Sequence, residues 1–304
     1  GGPLPDLAHM PELPECEFSR QLAQRWLRGK RIRSVKAAND RIVFEGVLPS
    51  AFSRALTGRS ITACRRWGKQ IWFELDSGPQ PMFHLGMTGS FRVKGKKALV
   101  YVRQKEEDPH NWPPKFCKVE LQMADGTCFA MTDARRFGRI KLCKNPWESP
   151  PVCHMGFDPL VAMPKLSSFT SLLQGRSADI KAVLLDQSLA AGVGNWVADE
   201  VLYQAGIHPQ EPTCDLDAKA VAALHRCLRS VVRVACRAGA DAKRYPRSWL
   251  FHYRWAKGSA GAVDGKGRAI KFVTSGGRTS AFVPALQRRS AEAKRRQRTK
   301  PAVH

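Results

Sequence analysis

The spacing of apolar residues divides the chain into a β-rich half and a helical half. Residues 15–28 carry apolar side chains at helical spacing and Gly29 follows them, which predicts one amphipathic helix. Short alternating or apolar runs then continue to about residue 142, separated by turn signals, which is typical of β-structure. The runs predicted as strands are 31–37, 41–47, 60–65, 70–75, 81–84, 118–123 and 128–131. This half predicts a β-sandwich preceded by a single helix.

The second half returns to helical spacing after a proline-rich segment at 143–164, which is interpreted as a linker. The predicted helices are 166–173, 180–186, 196–205 and a long one ending at 238, with Asp215 as its N-cap. Two final apolar runs, 268–274 and 278–284, flank Gly276-Gly277 and predict a β-hairpin. The predicted α+β organisation is a β-sandwich domain at 11–142, the linker, a helical domain at 165–260, the hairpin at 261–286 and a disordered tail at 287–304.

Charge is the strongest compositional signal of the 304-residue chain, because its formal net charge is +24. Such a surplus favours a polyanionic partner, with nucleic acid ahead of an acidic membrane face. The basic tail is typical of a nuclear-targeting or non-specific DNA-binding arm, or of a merely solvated segment. No apolar run approaches the length that spans a bilayer, so no membrane partner is expected.

The nine cysteines are scattered and include no C-x-x-C pair, which favours free thiols in a reducing compartment. The same pattern does not support a zinc site built from thiolate pairs, and no cysteine follows Cys236. We therefore expect neither a metal nor another cofactor.

The candidate chemistry lies at Pro11-Glu12. A free proline amine can attack an aldehyde-level carbon such as C1′ of a deoxyribose, and the adjacent carboxyl can move a proton. Taken alone, this segment has the plainer interpretation of a proline-rich lead-in to the first helix. Residues 1–10 resemble no targeting segment and are interpreted as a cloning scar or an extended gene model. While they are attached, the Pro11 nitrogen is a tertiary amide, so the active chain is expected to begin at Pro11.

A glycine-rich turn at Gly192-Val193-Gly194 precedes Asn195 and a predicted helix. The amides of a helix start can face an anion, and a DNA phosphate fits such a position. The alternative is a plain turn between two packed helices.

Five motifs follow one another along residues 11–209. They are Pro11-Glu12-Leu13-Pro14-Glu15, His84-Leu85-Gly86-Met87-Thr88-Gly89, Thr132-Asp133-Ala134-Arg135-Arg136-Phe137-Gly138, the helix–two-turn–helix segment 180–195, and Ala205-Gly206-Ile207-His208-Pro209. In type and order they resemble the formamidopyrimidine-DNA glycosylase/endonuclease VIII family of base-excision enzymes. The second and third motifs are more similar to the formamidopyrimidine branch.

The resemblance implies a bifunctional DNA glycosylase and abasic-site lyase that removes oxidised purines by β,δ-elimination. It implies that Pro11 attacks C1′, that Glu12 donates a proton to the sugar, and that Lys69 assists catalysis. The side chains implied to fill the space left by the flipped nucleotide are Met87, Arg135 and Phe137. Those implied to hold phosphates are His84, Lys181, Asn195 and Arg278. Glu15 and Glu200 are implied to be structural supports.

The implied partner is double-stranded DNA with oxidised bases or abasic sites, held between the two domains of a monomer. A nuclear location is expected, with chloroplast and mitochondrion as alternatives. Residues 268–284 keep the hairpin pattern but lack the four cysteines of many relatives, which resembles the zincless finger of plant members. Residues 239–258 are shorter than the bacterial pattern, which favours ring-opened formamidopyrimidines over 8-oxoguanine. The rival functions are a catalytically silent DNA-binding protein and, more weakly, an RNA-binding protein.

Overall fold

The computed structural model describes residues 11–99, 108–258 and 261–290. The chain divides into two compact units, residues 1–154 with 239–241 and residues 155–238 with 242–304. The expected extension at residues 1–10 and the basic tail after residue 290 lie outside the described residues. Within the described ranges, no helix combines the length and the apolar character that crossing a bilayer requires.

The first unit is built on one continuous antiparallel sheet. Helix α1 (Leu13–Leu27) leads into strand β1 (Lys30–Ala37), and helix α2 (Pro49–Leu56) follows. The remaining strands are β2 (Ser60–Trp67), β3 (Gln70–Leu75), β4 (Gln80–His84), β5 (Ser90–Val93), β6 (Cys117–Met123), β7 (Cys128–Thr132) and β8 (Arg139–Cys143). Their order is β5-β7-β6-β1-β2-β3-β4-β8, so β1 joins the two halves of the sheet.

Packed phenylalanines show that the two halves of the sheet face each other as a sandwich. The rings of Phe73 (β3) and Phe83 (β4) lie 5.5 Å from Phe129 (β7) and 5.4 Å from Phe91 (β5), respectively. All four side chains are buried, and the core also takes in the apolar face of α1 through Ala23 and neighbouring residues. The predicted β-sandwich preceded by one helix is confirmed.

Three features of this unit differ from the prediction. Residues 41–47 form turns rather than a strand, because the Asp40 carboxylate accepts the main-chain N–H groups of Ile42 and Val43 and curls the chain. Helix α2 and the strands β5 and β8 were not predicted. The start of the expected linker packs on the first unit, where the Trp147 ring lies 4.9 Å from that of Trp72.

The second unit contains helices α3 (Leu166–Leu173), α4 (Ile180–Leu185), α5 (Asn195–Ala205) and α6 (Ala218–Arg237). The longest of them, α6, starts two residues later than the Asp215 cap implies. Asp217 is its N-cap, since the Asp217 carboxylate accepts the N–H of Ala220 at 2.7 Å. Asp215 instead ends a short 3-10 turn.

The predicted hairpin is present as strands β9 (Lys271–Ser275) and β10 (Arg278–Phe282). Gly276 and Gly277 both have positive φ, so the tight connection demands glycine. The chain stays attached beyond the hairpin, because Gln287 donates to the carbonyl of Ile207 and the Ser290 N–H donates to Glu211. The disordered tail expected from residue 287 therefore does not include residues 287–290.

Candidate active site and nucleic-acid interface

The Pro11-Glu12 pair lies at the start of α1. Glu12 is the N-cap, and its side chain accepts the N–H of Glu15 while the Glu15 carboxylate accepts the N–H of Glu12 at 2.9 Å. Both carboxylates are buried. This capping box fixes the position of the Glu12 carboxyl beside Pro11 and holds the Glu15 carboxylate at the start of α1.

Lys69 occupies the two-residue turn between β2 and β3, after Gly68 with φ of 57°. The buried Arg66 guanidinium shapes this turn, because it donates to the Gly68 carbonyl at 2.8 Å and to the Glu17 carboxylate at 2.9 Å. Glu17 belongs to α1. Arg66 therefore ties the helix that presents Pro11 to the turn that presents Lys69.

Cys16 is a buried thiol between these two elements. Its Sγ lies 3.8 Å from the Lys69 carbonyl oxygen, and its main-chain N–H donates to the Glu12 carbonyl. Burial raises the pKa of the Cys16 thiol to about 12. The thiol therefore stays protonated, although the positive charges of Arg66 and Lys69 oppose the rise of its pKa.

His84 ends β4 opposite Gln70, one residue from Lys69. Burial, followed by the positive charges of Lys69 and Arg139, lowers the pKa of His84 to about 4. Its Nδ1 accepts the N–H of Gly86 at 3.2 Å, so the proton of the neutral ring resides on Nε2. An Nε2–H group can donate to a phosphate oxygen without carrying a charge.

Met87, Arg135 and Phe137 lie on two neighbouring loops, 85–89 and 133–138. Arg135 and Phe137 are exposed, and the Arg135 guanidinium lies 5.1 Å from the centroid of the Phe137 ring. Met87 is half-buried. Phe137 does not belong to the core, because the residue is 48% exposed.

The buried Asp133 carboxylate joins these two loops. It accepts the hydroxyl of Thr88 at 2.7 Å and the main-chain N–H groups of Arg135 at 3.2 Å and Gly138 at 2.6 Å. The backbone of Gly86 presses against that of residues 137 and 138, where any Cβ would clash. The structure thus places Met87, Arg135 and Phe137 on two loops that Asp133 and the Gly86 contact hold together.

Arg136 separates Arg135 from Phe137 and points elsewhere. Its guanidinium donates to both carboxylate oxygens of Asp40 at 3.0 Å, and its own φ is +60°. Although burial opposes it, hydrogen bonds from Arg136 and Lys118 hold the pKa of Asp40 well below its usual range. This pairing holds the Arg136 guanidinium on Asp40 and directs it away from the exposed side chains of Arg135 and Phe137.

In the second unit, Asn195 is the first residue of α5. Gln187 braces the preceding turn, donating to the Val193 carbonyl at 2.9 Å and accepting the Gly192 N–H at 2.9 Å. Arg278 is exposed at the start of β10, directly after the glycine turn. Both positions suit contact with an anion.

The prediction that Lys181 holds a phosphate does not fit the structure. Its side chain is fully buried, and its Nζ donates to Asp199 at 2.5 Å and to the Thr279 carbonyl at 3.2 Å. Lys181 is part of an internal ion pair that no surface ligand reaches.

Glu200, the other predicted support, is buried in α5. Its carboxylate accepts the Phe251 N–H at 2.9 Å and the Gln204 side chain at 2.7 Å. Burial raises the pKa of Glu200 to about 7. Its contacts tie α5 to the short turn at Leu250–His252.

Sequence reasoning missed the residues that support the candidate site residues within each unit. They are Glu17 and Asp133 in the first unit and Gln187 and Asp199 in the second. The third motif contains Asp133, yet only its place between two loops reveals its role. Nothing in local spacing signals Asp199, whose partners lie far away in sequence. Among the described residues no group of three or more His, Cys, Asp or Glu side chains could hold a metal ion.

Comparison with known proteins decides the family. Three protein-family models match the chain. The formamidopyrimidine-DNA glycosylase N-terminal domain matches residues 10–140, and the formamidopyrimidine-DNA glycosylase H2TH domain matches residues 155–246. The formamidopyrimidine-DNA glycosylase-like C-terminal domain matches residues 249–284. The chain belongs to the formamidopyrimidine-DNA glycosylase family. The resemblance stated from the motifs is thereby confirmed.

Relatives in this family are similar along most of the chain. Formamidopyrimidine-DNA glycosylase of Arabidopsis thaliana is 40% identical over 92% of this chain and 71% of its own length. The Paracoccus denitrificans protein of the same name is 32% identical over 91% of this chain and all of its own length. Lactococcus lactis formamidopyrimidine-DNA glycosylase bound to DNA with an abasic site superposes with a TM-score of 0.73 at 25% identity, covering 91% of this chain and all of the other.

Proposed function

We propose that this member of the family is a bifunctional DNA glycosylase and abasic-site lyase that uses Pro11 as its nucleophile. The observation that carries the proposal is the capping box at the start of α1, which fixes the buried Glu12 carboxyl next to Pro11. Lys69 is brought to the same end of the helix by the Arg66 and Glu17 contacts. The solved relatives include Lactococcus lactis complexes with DNA containing an abasic site and with DNA containing Fapy-dG.

The proposed chemistry begins when the free Pro11 amine, having lost its proton, attacks C1′. The glycosidic bond breaks, and the base leaves with the proton that the attacking nitrogen gives up. Ring opening then breaks the C1′–O4′ bond, O4′ takes a proton from Glu12, and C1′ becomes an iminium carbon on the proline nitrogen. The iminium acidifies C2′–H, so loss of that proton expels the 3′ phosphate, and loss of the C4′ proton in a second elimination expels the 5′ phosphate. The proline must first be freed from the residues that precede it.

The proposed mode of DNA binding uses the braced loops of the first unit. Extruding a nucleotide leaves a gap in the duplex that apolar wedges can fill. Met87 and Phe137 supply such wedges, and Arg135 supplies hydrogen-bond donors for the orphaned base. His84, Asn195 and Arg278 are proposed to donate to phosphates, whereas Lys181 is withdrawn from that set.

The proposed substrates are duplexes with oxidised purines, and ring-opened formamidopyrimidines are favoured over 8-oxoguanine. The support is the short segment at 239–258, read against the longer bacterial pattern. Single-turnover excision from matched duplexes that differ only in the lesion tests this range. Equal rates on both lesions would refute the preference.

The deciding experiment is borohydride trapping on a duplex with one abasic site. A chain beginning at Pro11 is compared with the same chain carrying Pro11→Gly and with the full 304-residue chain. A covalent band that requires Pro11 with a free nitrogen supports the imine. Absence of the band, with tight DNA binding retained and a free Pro11 verified by mass spectrometry, would favour the silent DNA-binding protein instead.

A further inference from the structure

A buried carboxylate lies at the centre of the second unit. Asp199, in the middle of α5, is 1% exposed. Its Oδ1 accepts from Lys181 Nζ at 2.5 Å and from the Ser280 hydroxyl at 2.6 Å. Its Oδ2 accepts from Arg254 Nη2 at 2.6 Å and from the Ala281 N–H at 3.2 Å. Both oxygens are thus occupied by donors from three other segments of the chain.

The cations of this cluster are buried with the carboxylate. Lys181 is fully buried on α4, and Arg254 is 8% exposed after the turn at Leu250–His252. Removing such charges from water is costly unless each is paired and hydrogen-bonded. Asp199 satisfies both cations at once, so α4, α5 and the segment around Arg254 are held to one point.

The same cluster holds the hairpin strand directly after Arg278. The carbonyl of Thr279 accepts from Lys181, and Ser280 and Ala281 both donate to Asp199. Three successive residues of β10 are therefore tied to the two helices of the helix–two-turn–helix segment.

The other end of the hairpin turn is held as well. The Ser275 hydroxyl donates to Asp179 at 2.9 Å, and a Cβ on Gly276 would come within 2.9 Å of Ala182 Cα on α4. Arg278 consequently lies between two anchored stretches of backbone, and its side chain is exposed to solvent.

We infer that Asp199 is a positioning residue that fixes the Arg278 hairpin to the helices carrying Asn195, and so does the mechanical work that a four-cysteine zinc site does in other fingers. A metal joins segments distant in sequence through its ligands. Here a carboxylate joins Lys181, Arg254 and Ser280. The inference rests on the proposed function, in which Arg278 contacts a DNA phosphate.

The test uses Ser280→Ala, which removes one bond between hairpin and anchor while keeping Asp199 paired with both cations. The matched control is Thr274→Ala, which removes an exposed hydroxyl from the facing strand. Affinity is measured on a duplex with a non-cleavable abasic-site analogue, with each variant alone and with Arg278→Ala. Hydrogen exchange of the amides of residues 278–282 is followed without DNA.

Arg278→Ala is expected to weaken binding about tenfold, as loss of a phosphate contact does. Ser280→Ala is expected to weaken it about threefold, since part of the same contact is lost, and to have no effect in the Arg278→Ala background. It should also speed amide exchange in the hairpin, whereas Thr274→Ala changes neither quantity. Non-additivity is the readout that a purely structural role would not give.

Two results would overturn the inference, and they differ. In the first, Arg278→Ala weakens binding as expected, but Ser280→Ala has no effect, or weakens binding equally with and without Arg278→Ala. This result removes the positioning role alone. Unchanged binding by Arg278→Ala removes the phosphate contact of the proposed function, and the positioning role with it.

Discussion

The Thr88 hydroxyl donates a 2.7 Å hydrogen bond to the buried carboxylate of Asp133, and this bond joins the loop of Met87 to the loop of Arg135 and Phe137. Two unconnected loops could each shift separately when they are pressed against a base stack. Because Asp133 joins them, the two loops are expected to keep their relative position. Under the proposed mode of DNA binding, the ability to open a duplex should therefore depend on the hydrogen bonds that Asp133 accepts.

Thr88→Val tests this link, because valine keeps the shape of the side chain and removes the donor. It removes the hydroxyl donor from Asp133 Oδ1, which still accepts the Arg135 N–H, and we expect a loss of about 1–2 kcal/mol in the free energy of unfolding. Excision of a paired lesion should fall more than trapping on an abasic site, since a paired base costs more to extrude. Thermal unfolding and single-turnover kinetics measure both.

The control for that substitution is Thr62→Val, at an exposed threonine whose hydroxyl donates to the Glu74 carbonyl in the sheet. It should change the unfolding free energy by less than about 0.5 kcal/mol. Equal losses of paired-lesion excision in the two variants would contradict the role of Asp133.

Arg66→Met is expected to be more damaging than Arg65→Met. Arg66 is buried, and its removal takes from Glu17 one of two arginine partners and breaks the bond to the Gly68 carbonyl, while Arg20 still pairs with Glu17. Losing such charge-assisted hydrogen bonds should cost about 1.5–3 kcal/mol. Arg65 is exposed and pairs with Glu74 at the surface, where such a pair contributes about 0–1 kcal/mol. Urea unfolding of the two variants gives the comparison, and similar midpoints would show that Arg66 braces nothing.

Salt dependence should separate His84 from Arg278. A neutral His84 releases no counterion when it contacts a phosphate, so His84→Ala should lower affinity without changing the slope of log affinity against log salt. Arg278→Ala should reduce that slope by about 1. Titrations of DNA binding at several salt concentrations near pH 7.5 measure this difference. A slope change for His84→Ala equal to that for Arg278→Ala would mean that His84 binds as a cation.

Glu200 predicts a pH dependence of stability. Its folded pKa of about 7 lies above the ordinary value of 4.5, so the folded state binds the extra proton between these values. The stability due to the protonated carboxyl is complete below about pH 4.5 and is lost as the pH rises through 7. Relative to Glu200→Gln, the wild-type unfolding free energy should fall by roughly 3 kcal/mol over that range. A constant difference from pH 4.5 to 8 would show that Glu200 keeps an ordinary pKa.

The sequence predicted the features that depend on neighbours along the chain. Strands β3 and β9, helix α5 and the Gly276-Gly277 turn follow from residue spacing and from the need for positive φ. Helix α2 was within reach, since Pro49 begins it and Phe52 and Leu56 lie four residues apart on its buried side. Met87, Arg135 and Phe137 were singled out through family motifs, because local residue spacing does not show which side chains a loop exposes.

What sequence could not supply is the partner of a buried charge. Lys181 was predicted to hold a phosphate, and the structure places it inside the second unit, paired with Asp199. The local sequence around a lysine in a basic chain does not show that the lysine is buried. Its partner on another helix is determined only by tertiary packing. The same holds for Asp133, whose two loops meet through the sheet and not through the sequence.

The buried thiol of Cys16 has a consequence for chemical selectivity. An open-chain sugar aldehyde is an electrophile for sulfur as well as for nitrogen, and only thiolates add or oxidise quickly. With a pKa of about 12 and almost no exposed surface, Cys16 competes neither for the sugar nor for peroxide. Under the proposed function on oxidatively damaged DNA, the thiol between α1 and the Lys69 turn thus stays inert under the oxidising conditions that create the substrate.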